Sequence, residues 1–153
     1  MNSAVVPRIP GLAPAPYAHA ASVSSTFRLI FTAGACPLGE DGGVAGESYT
    51  DQALLALENL RRALEGSGAS LAEIVQLRVL VASAQRRDLV ETWDAVAQIL
   101  GDPAPPGTLM GVTMLGYPDQ LVELEAVAAV VRRPSRGGWR ALTGRRGRRW
   151  RSP

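Results

Sequence analysis

The amino-acid sequence predicts an α+β domain in which two helices cover one face of a mixed β-sheet. Two segments carry apolar residues at positions i, i+4, i+7 and i+11, the spacing of a helix with one buried side. Segments rich in β-branched residues lie before, between and after them and are typical of strands. Two helices cannot cover both faces of a sheet, so we expect the other face to meet solvent or another subunit. The two apolar stripes are Ala53, Leu57, Leu60 and Leu64, then Leu89, Trp93, Val96 and Leu100.

The first part of the chain is predicted to contribute two strands. Four prolines in residues 1–16 favour an extended arm over a helix, because each fixes its backbone and removes a hydrogen-bond donor. A short strand is expected at 19–23 and a stronger one at 28–33. Four glycines between 39 and 46 then indicate a loop or hairpin.

After the first two strands we expect a helix, a strand and a second helix, followed by two closing strands. The predicted order is therefore β-β-α-β-α-β-β. Ser48 or Thr50 is the expected N-cap of the first helix, which glycines end at 66–68. Capping-box spacing at 70–73 predicts a helical turn before the next strand. The other elements are a strand at 75–81, a helix at about 88–100, and strands at 108–114 and 121–131.

Charge is divided sharply along the chain. Residues 132–153 contain nine arginines and no acid, whereas residues 1–131 contain seven arginines and all 14 acids, a net charge of −7. We therefore divide the chain into an arm (1–16), a folded domain (17–131) and an arginine-rich tail (132–153) expected to be disordered. Interleaved Trp139 and Trp150 leave three partners open for the tail: a phosphate backbone, anionic lipid, or the acidic domain itself. Nucleic acid is expected to bind, if at all, only there.

Composition excludes several classes of protein. Cys36 is the single cysteine and His19 the single histidine, so an internal disulfide and a histidine-rich metal site are excluded. All 16 basic residues are arginine, which excludes Schiff-base lysine chemistry. No apolar run approaches the roughly 18 residues of a membrane span. We expect a soluble, cytoplasmic protein with neither metal nor organic cofactor.

The order and spacing of several motifs resemble the RidA (YjgF) family. The resemblance covers about residues 16–131 and rests on Pro16 and Tyr17, residues 32–37, Asp51 and Gln52, 56–60, Gly68, the strand at 75–81, Asp88 and 122–126. It implies a chorismate-mutase-like fold and a homotrimer with ligand sites in the clefts between subunits. It also implies a cofactor-independent hydrolase, a deaminase that acts on imines and enamines derived from amino acids.

The resemblance implies roles for individual residues. Glu123, the first glutamate of a Glu-x-Glu sequence, matches the residue that handles the water and the proton. Tyr17 matches a tyrosine that shapes the cleft from the neighbouring subunit, and Gly34 a glycine whose backbone approaches the ligand. Leu109 is expected to line the same cleft.

One position departs from the family in a way that affects the substrate. Deaminases of the family hold the carboxylate of an imino acid with an arginine, and Gly107 stands at that position. A charge-assisted arginine bond contributes about 1.5–3 kcal/mol, which glycine cannot supply. The sequence therefore predicts weak activity on 2-imino acids and a substrate that need not carry a carboxylate.

Several residues keep more than one interpretation. Glu123 and Glu125 lie on one face of a strand, about 7 Å apart, and either line a cleft or form a solvated pair. No third ligand suggests a metal beside them. Arg78 is either a relocated anion clamp or half of an ion pair at a subunit interface. Cys36 is either a reactive thiol or an inert, buried one.

Three functions follow from these alternatives. The first is a RidA-like hydrolase that acts on a C=N or enamine bond. The second is a non-catalytic trimer that binds a small metabolite in the same clefts, which the loss of the arginine favours. The third, an endoribonuclease or RNA-binding protein, would depend on the tail, and the acidic domain argues against it.

Overall fold

The computed structural model describes residues 5–6, 9–13, 15–24 and 26–131; the predicted tail lies outside the described residues. The described part contains two α-helices and six strands. In chain order they are β1 (Val5–Val6), β2 (Ala20–Ala21), β3 (Phe27–Phe31), α1 (Tyr49–Gly66), β4 (Ile74–Val81), α2 (Arg86–Leu100), β5 (Gly107–Gly111) and β6 (Val122–Val131), with a short 3-10 helix, Leu71–Glu73, before β4.

The main sheet is mixed and has the strand order β3-β6-β4-β5. Strands β4 and β5 are parallel and are joined through α2, whereas β6 runs antiparallel to both of its neighbours. Both helices pack on one face, which confirms the predicted fold class. A separate two-stranded sheet pairs β1 with β2. This pairing was not predicted, because the nearby prolines disfavour a strand and two residues are too few to show an alternating pattern.

The core lies between the two helices and the sheet. Leu57, Leu60 and Leu64 of α1 are buried as their spacing predicts, against Leu77 and Leu124 among the strand residues of the same core. Burying a leucine contributes about 2 kcal/mol, so this layer stabilises the packing of α1 on the sheet. In α2 the stripe is shallower, because Val96 is buried whereas Leu89, Trp93 and Leu100 remain partly exposed.

Local capping sets the helix starts. Ser48 caps α1 as predicted, and its hydroxyl accepts a hydrogen bond from the backbone N–H of Asp51 at 3.0 Å. The predicted capping box is also present, since the carboxylate of Glu73 accepts from the backbone N–H of Ser70 at 2.8 Å. Helix α2 begins at Arg86, two residues before the predicted start.

Three neighbouring segments are tied together by one buried side chain. Gln52 donates to the carbonyls of Gly46 at 3.1 Å and Asp119 at 2.9 Å, and it accepts from the backbone N–H of Leu121 at 2.7 Å. The loop before α1 and the turn before β6 are thereby attached to the same helix. This attachment matters because that turn leads into the candidate site. None of the helices in the described ranges meets the length and apolarity that a membrane span requires.

Candidate functional site

The sheet face opposite the helices, here called the open face, carries the two glutamates of β6. Val122, Leu124 and Ala126 point into the core, so Glu123 and Glu125 point the other way. Glu123 is half-buried and pairs in register with Leu80 of β4. The predicted shared face of the two carboxylates is therefore present.

One carboxylate oxygen of Glu123 is held by two neutral groups. Its Oε2 atom accepts from the side-chain amide of Gln120 at 3.0 Å and lies 3.6 Å from the thiol of Cys36. Gln120 is only 4% exposed and is itself fixed, because it donates to the carbonyl of Val122 and accepts from the backbone N–H of Tyr117, both at 3.1 Å. A satisfied network of this kind favours one orientation of the carboxylate.

Gly34 lies against the same carboxylate. Beyond β3 the chain continues alongside β6, where Ala35 and Leu124 exchange backbone hydrogen bonds at 2.7 and 3.1 Å. A Cβ atom added to Gly34 would overlap Oε1 of Glu123 and would lie 2.6 Å from its Cδ. The glutamate conformation seen here therefore requires glycine at position 34.

The environment of Cys36 disfavours the thiolate form of its side chain. Burial is the largest cause that raises the pKa of its thiol, followed by the negative charge of Glu123; the Gln120 amide acts in the opposite direction. A raised pKa keeps the thiol protonated near neutral pH, and it is the thiolate that reacts. We define Gly34, Cys36, Gln120 and Glu123 as the carboxylate half-site.

The predicted cleft residues Tyr17, Gly107 and Leu109 are grouped here, together with Trp93, whose ring contacts Tyr17, as the aromatic half-site. The Tyr17 and Trp93 rings meet edge to face, with centroids 6.1 Å apart and planes at 90°. The backbone next to Tyr17 is attached near the start of β5, since the N–H of Ala18 donates to the carbonyl of Ala104 at 2.7 Å.

The two half-sites do not meet within one chain. Gly107 pairs with Leu77, which lies in the core, so its side of β5 faces the helices, whereas Glu123 is on the open face. Gly107 and Glu123 are also two strands and three residues apart in register, a separation of about 14 Å between Cα atoms. The predicted cleft would therefore need residues of two chains.

Arg78 is paired with Glu125 and, as far as the structure describes the chain, contacts no residue of either half-site by a hydrogen bond or ion pair. Its guanidinium lies 3.0 Å from the carboxylate of Glu125, its register partner on β6. The ion pair is thus formed within one sheet, and both side chains are exposed. Such exposed pairs contribute at most about 1 kcal/mol, so the pair is mainly a local arrangement of charge on the open face.

Gln120 is the site residue that sequence reasoning missed. A turn at residues 116–119 is expected from Gly116, Pro118 and Asp119, but the pattern does not show that the turn, in which Asp119 has a φ of 59°, brings the Gln120 amide onto Glu123. In the described part of the chain, no three His, Cys, Asp or Glu side chains cluster as ligands of a metal ion would.

Comparison with known proteins places this arrangement in a family. The family model described as Endoribonuclease L-PSP matches residues 10–130, which contain both half-sites. The chain belongs to the RidA (YjgF) family. A RutC family protein of Pyrococcus abyssi is 29% identical over 114 residues, which are 74% of this chain and 85% of that protein.

Solved structures of the RidA family share the fold. The Rid-family protein YyfB from Yersinia pestis is 27% identical and has a TM-score of 0.74, and the match covers 85% of this chain and 100% of that one. TdcF from E. coli, solved with bound serine, is 26% identical with a TM-score of 0.60, and the match covers 79% and 91% of the two chains. The chorismate-mutase-like fold implied by the family resemblance is therefore confirmed.

Proposed function

We propose that this RidA-family chain is a hydrolase of imines or enamines, with Glu123 as the general acid and base. The observation that carries the proposal is the carboxylate half-site, in which Oε2 of Glu123 is anchored by Gln120 and Cys36 and Oε1 lies beside Gly34. An anchored carboxylate with one oxygen free is suited to moving a proton. TdcF, with its bound serine, shows that a family relative accepts a small amino-containing ligand.

The proposed reaction needs only water and this carboxylate. Glu123 accepts a proton from water as the water oxygen forms a bond to the carbon of the protonated imine, and the C=N π electrons move to nitrogen, giving a neutral amino alcohol. Glu123 then returns the proton to nitrogen. The C–N bond breaks with its electrons leaving on ammonia, the hydroxyl proton passes to the Glu123 carboxylate and from there to solvent, and the oxygen retained on carbon becomes the carbonyl. Positioning and proton transfer together account for such catalysis without a cofactor.

We propose further that the cleft is shared between subunits of a homotrimer. The carboxylate half-site of one subunit would face the aromatic half-site of the next, since the two are about 14 Å apart in one chain. The open face supports association because it exposes large apolar side chains, above all Phe31 at 72%. Apolar area of this kind commonly marks an interface.

The substitution Phe31→Glu is expected to produce monomers, because a trimer would have to bury three added negative charges, one from each subunit, against an apolar surface. Sedimentation equilibrium at micromolar concentration would measure the change, with the unaltered chain as a trimer. The control is Ile99→Glu on α2, a residue of similar exposure, 58%, on the helical layer. A native monomer, or equal dissociation by both variants, would contradict the shared cleft.

The catalytic proposal is tested with an imine released in solution. A flavin-dependent amine oxidase in excess converts benzylamine to benzaldimine, and stopped-flow absorbance follows the appearance of benzaldehyde. We expect the native protein to accelerate hydrolysis and Glu123→Gln to remove the acceleration. Glu125→Gln, the same substitution two residues further along the same face, is expected to keep it. Acceleration that survives Glu123→Gln would overturn the role of Glu123.

A non-catalytic binding protein is the second candidate, and Gly107 favours it. Glycine supplies no side chain where a deaminase of the family holds its substrate, so binding energy that would position a substrate is missing. For this candidate, ligands bind at the cleft and no imine is hydrolysed faster than in buffer.

A further inference from the structure

One oxygen of the Glu123 carboxylate has no hydrogen-bond partner among the described residues. Among residues 9–13, 15–24 and 26–131, the hydrogen bonds to this carboxylate reach Oε2, from Gln120 and Cys36. Oε1 instead packs against the Cα of Gly34, where it occupies the space that a side chain would fill. Both donors on Oε2 are uncharged, so they orient the carboxylate without neutralising it.

The arginines of the described domain are used elsewhere. Arg28 donates to the carbonyl of Ser67 at the end of α1, Arg78 pairs with Glu125, and Arg87 pairs with Asp88. Arg61 and Arg62 both pair with Glu58 on the outside of α1. Arg86 lies at the exposed start of α2, and the chain has no lysine. Within the described domain, therefore, no guanidinium contacts Glu123.

We infer that the ligand of this site presents a cationic N–H group, a protonated amine or iminium, to Oε1 of Glu123 and carries no carboxylate. The inference rests on the function proposed above and narrows its substrate class. A half-buried anion with neutral partners attracts a cationic donor through a charge-assisted hydrogen bond. The same anion repels a carboxylate at short range, and glycine at 107 offers no compensating charge.

The thiol of Cys36 lies 3.6 Å from Oε2 of the same carboxylate. Burial is the largest cause that raises the pKa of this thiol, and the charge of Glu123 is the second.

Three probes of nearly the same shape separate the possibilities. Benzylamine is cationic at pH 7, benzyl alcohol is neutral and benzoate is anionic. Each is titrated into the full-length, isotope-labelled protein while the backbone amide signals of Gly34 and Glu123 are followed by NMR. Both amides belong to residues of the carboxylate half-site, so their shifts report on binding there.

We expect benzylamine to bind at least about tenfold more tightly than benzyl alcohol, since a charged hydrogen bond replaces a neutral one, and benzoate to bind most weakly. Glu123→Gln should remove the preference for the amine, and Glu125→Gln should preserve it. Added salt should weaken the binding of the amine selectively.

Several results would overturn the inference. They are tighter binding of benzoate than of benzylamine, an amine preference that persists in Glu123→Gln, or no shift of either amide with any probe. The outcome is separable from that of the proposed function. Glu123-dependent amine binding without imine hydrolysis would refute the enzyme and leave the ligand class standing. Efficient hydrolysis of 2-imino acids by the native protein would refute the ligand class without a carboxylate and leave the proposed enzyme standing.

Discussion

Alanine at position 34 is expected to abolish the function of Glu123 while leaving the fold intact. The added Cβ would overlap the carboxylate and lie 2.6 Å from its Cδ, so the glutamate must leave its contacts with Gln120 and Cys36. Losing a positioned general acid and base costs about a hundredfold or more in rate. The hydrolysis of benzaldimine should fall accordingly in Gly34→Ala.

Cys36 reports the displacement directly. Moving Glu123 away removes one cause of the raised pKa of the thiol, so that pKa moves down and the thiolate fraction at pH 8 rises. Alkylation of Cys36, the single cysteine, should be faster in Gly34→Ala than in the native protein. Gly116→Ala is the matched control, since a Cβ there meets no atom within 4 Å. Unchanged alkylation and unchanged hydrolysis would show that the close approach of Gly34 is not required.

Arginine at position 107 is expected to create activity on 2-imino acids. The native protein should hydrolyse these compounds poorly when an amino-acid oxidase generates them, because no guanidinium holds their carboxylate. A new charge-assisted bond worth about 1.5–3 kcal/mol corresponds to a gain of about 10- to 150-fold in kcat/KM. Gly107 is not among the positive-φ glycines, so its backbone accepts a side chain.

The comparison needs two companion variants. A Cβ at position 107 would lie 3.1 Å from the carbonyl oxygen of Leu77, so the strand must move by a few tenths of an ångström. Gly107→Ala carries this steric cost without the charge and should gain nothing. Glu123→Gln added to Gly107→Arg should lose the gain. If Gly107→Ala gains as much as Gly107→Arg, the carboxylate is not held by the new side chain.

Local sequence predicts most of the helices and little of the strand ends. The stripe of α1 and its Ser48 cap locate that helix correctly, because helix-forming interactions lie within a few residues of each other. The early start of α2 depends on Ser83, whose hydroxyl donates to the carboxylate of Asp88 at 2.6 Å and accepts from the N–H of Gln85 at 2.9 Å. Strand β5 stops at Gly111 because its partner β4 ends opposite, at Val81.

For the candidate site, too, the sequence identifies some of the residues but not the contacts between them. Glu123 and Gly34 are identified from the resemblance. The steric contact between them is not, because they lie far apart in the chain and meet only when the segment after β3 runs alongside β6. Local periodicity carries no information about such a long-range contact. Gln120 needs the conformation of the turn before β6. The prediction that Tyr17, Gly107, Leu109 and Arg78 bind substrate stays a prediction.

The contact between Gly34 and Glu123 makes the order of mutations matter. While glutamate occupies position 123 in this conformation, any side chain at 34 is opposed by its carboxylate. Once position 123 has changed to a shorter residue, the space beside Gly34 opens and the same substitution becomes tolerable. Such non-additivity is expected of residues in contact. A lineage that lost the glutamate first would therefore be free to lose the glycine, whereas the opposite path would pass through an impaired protein.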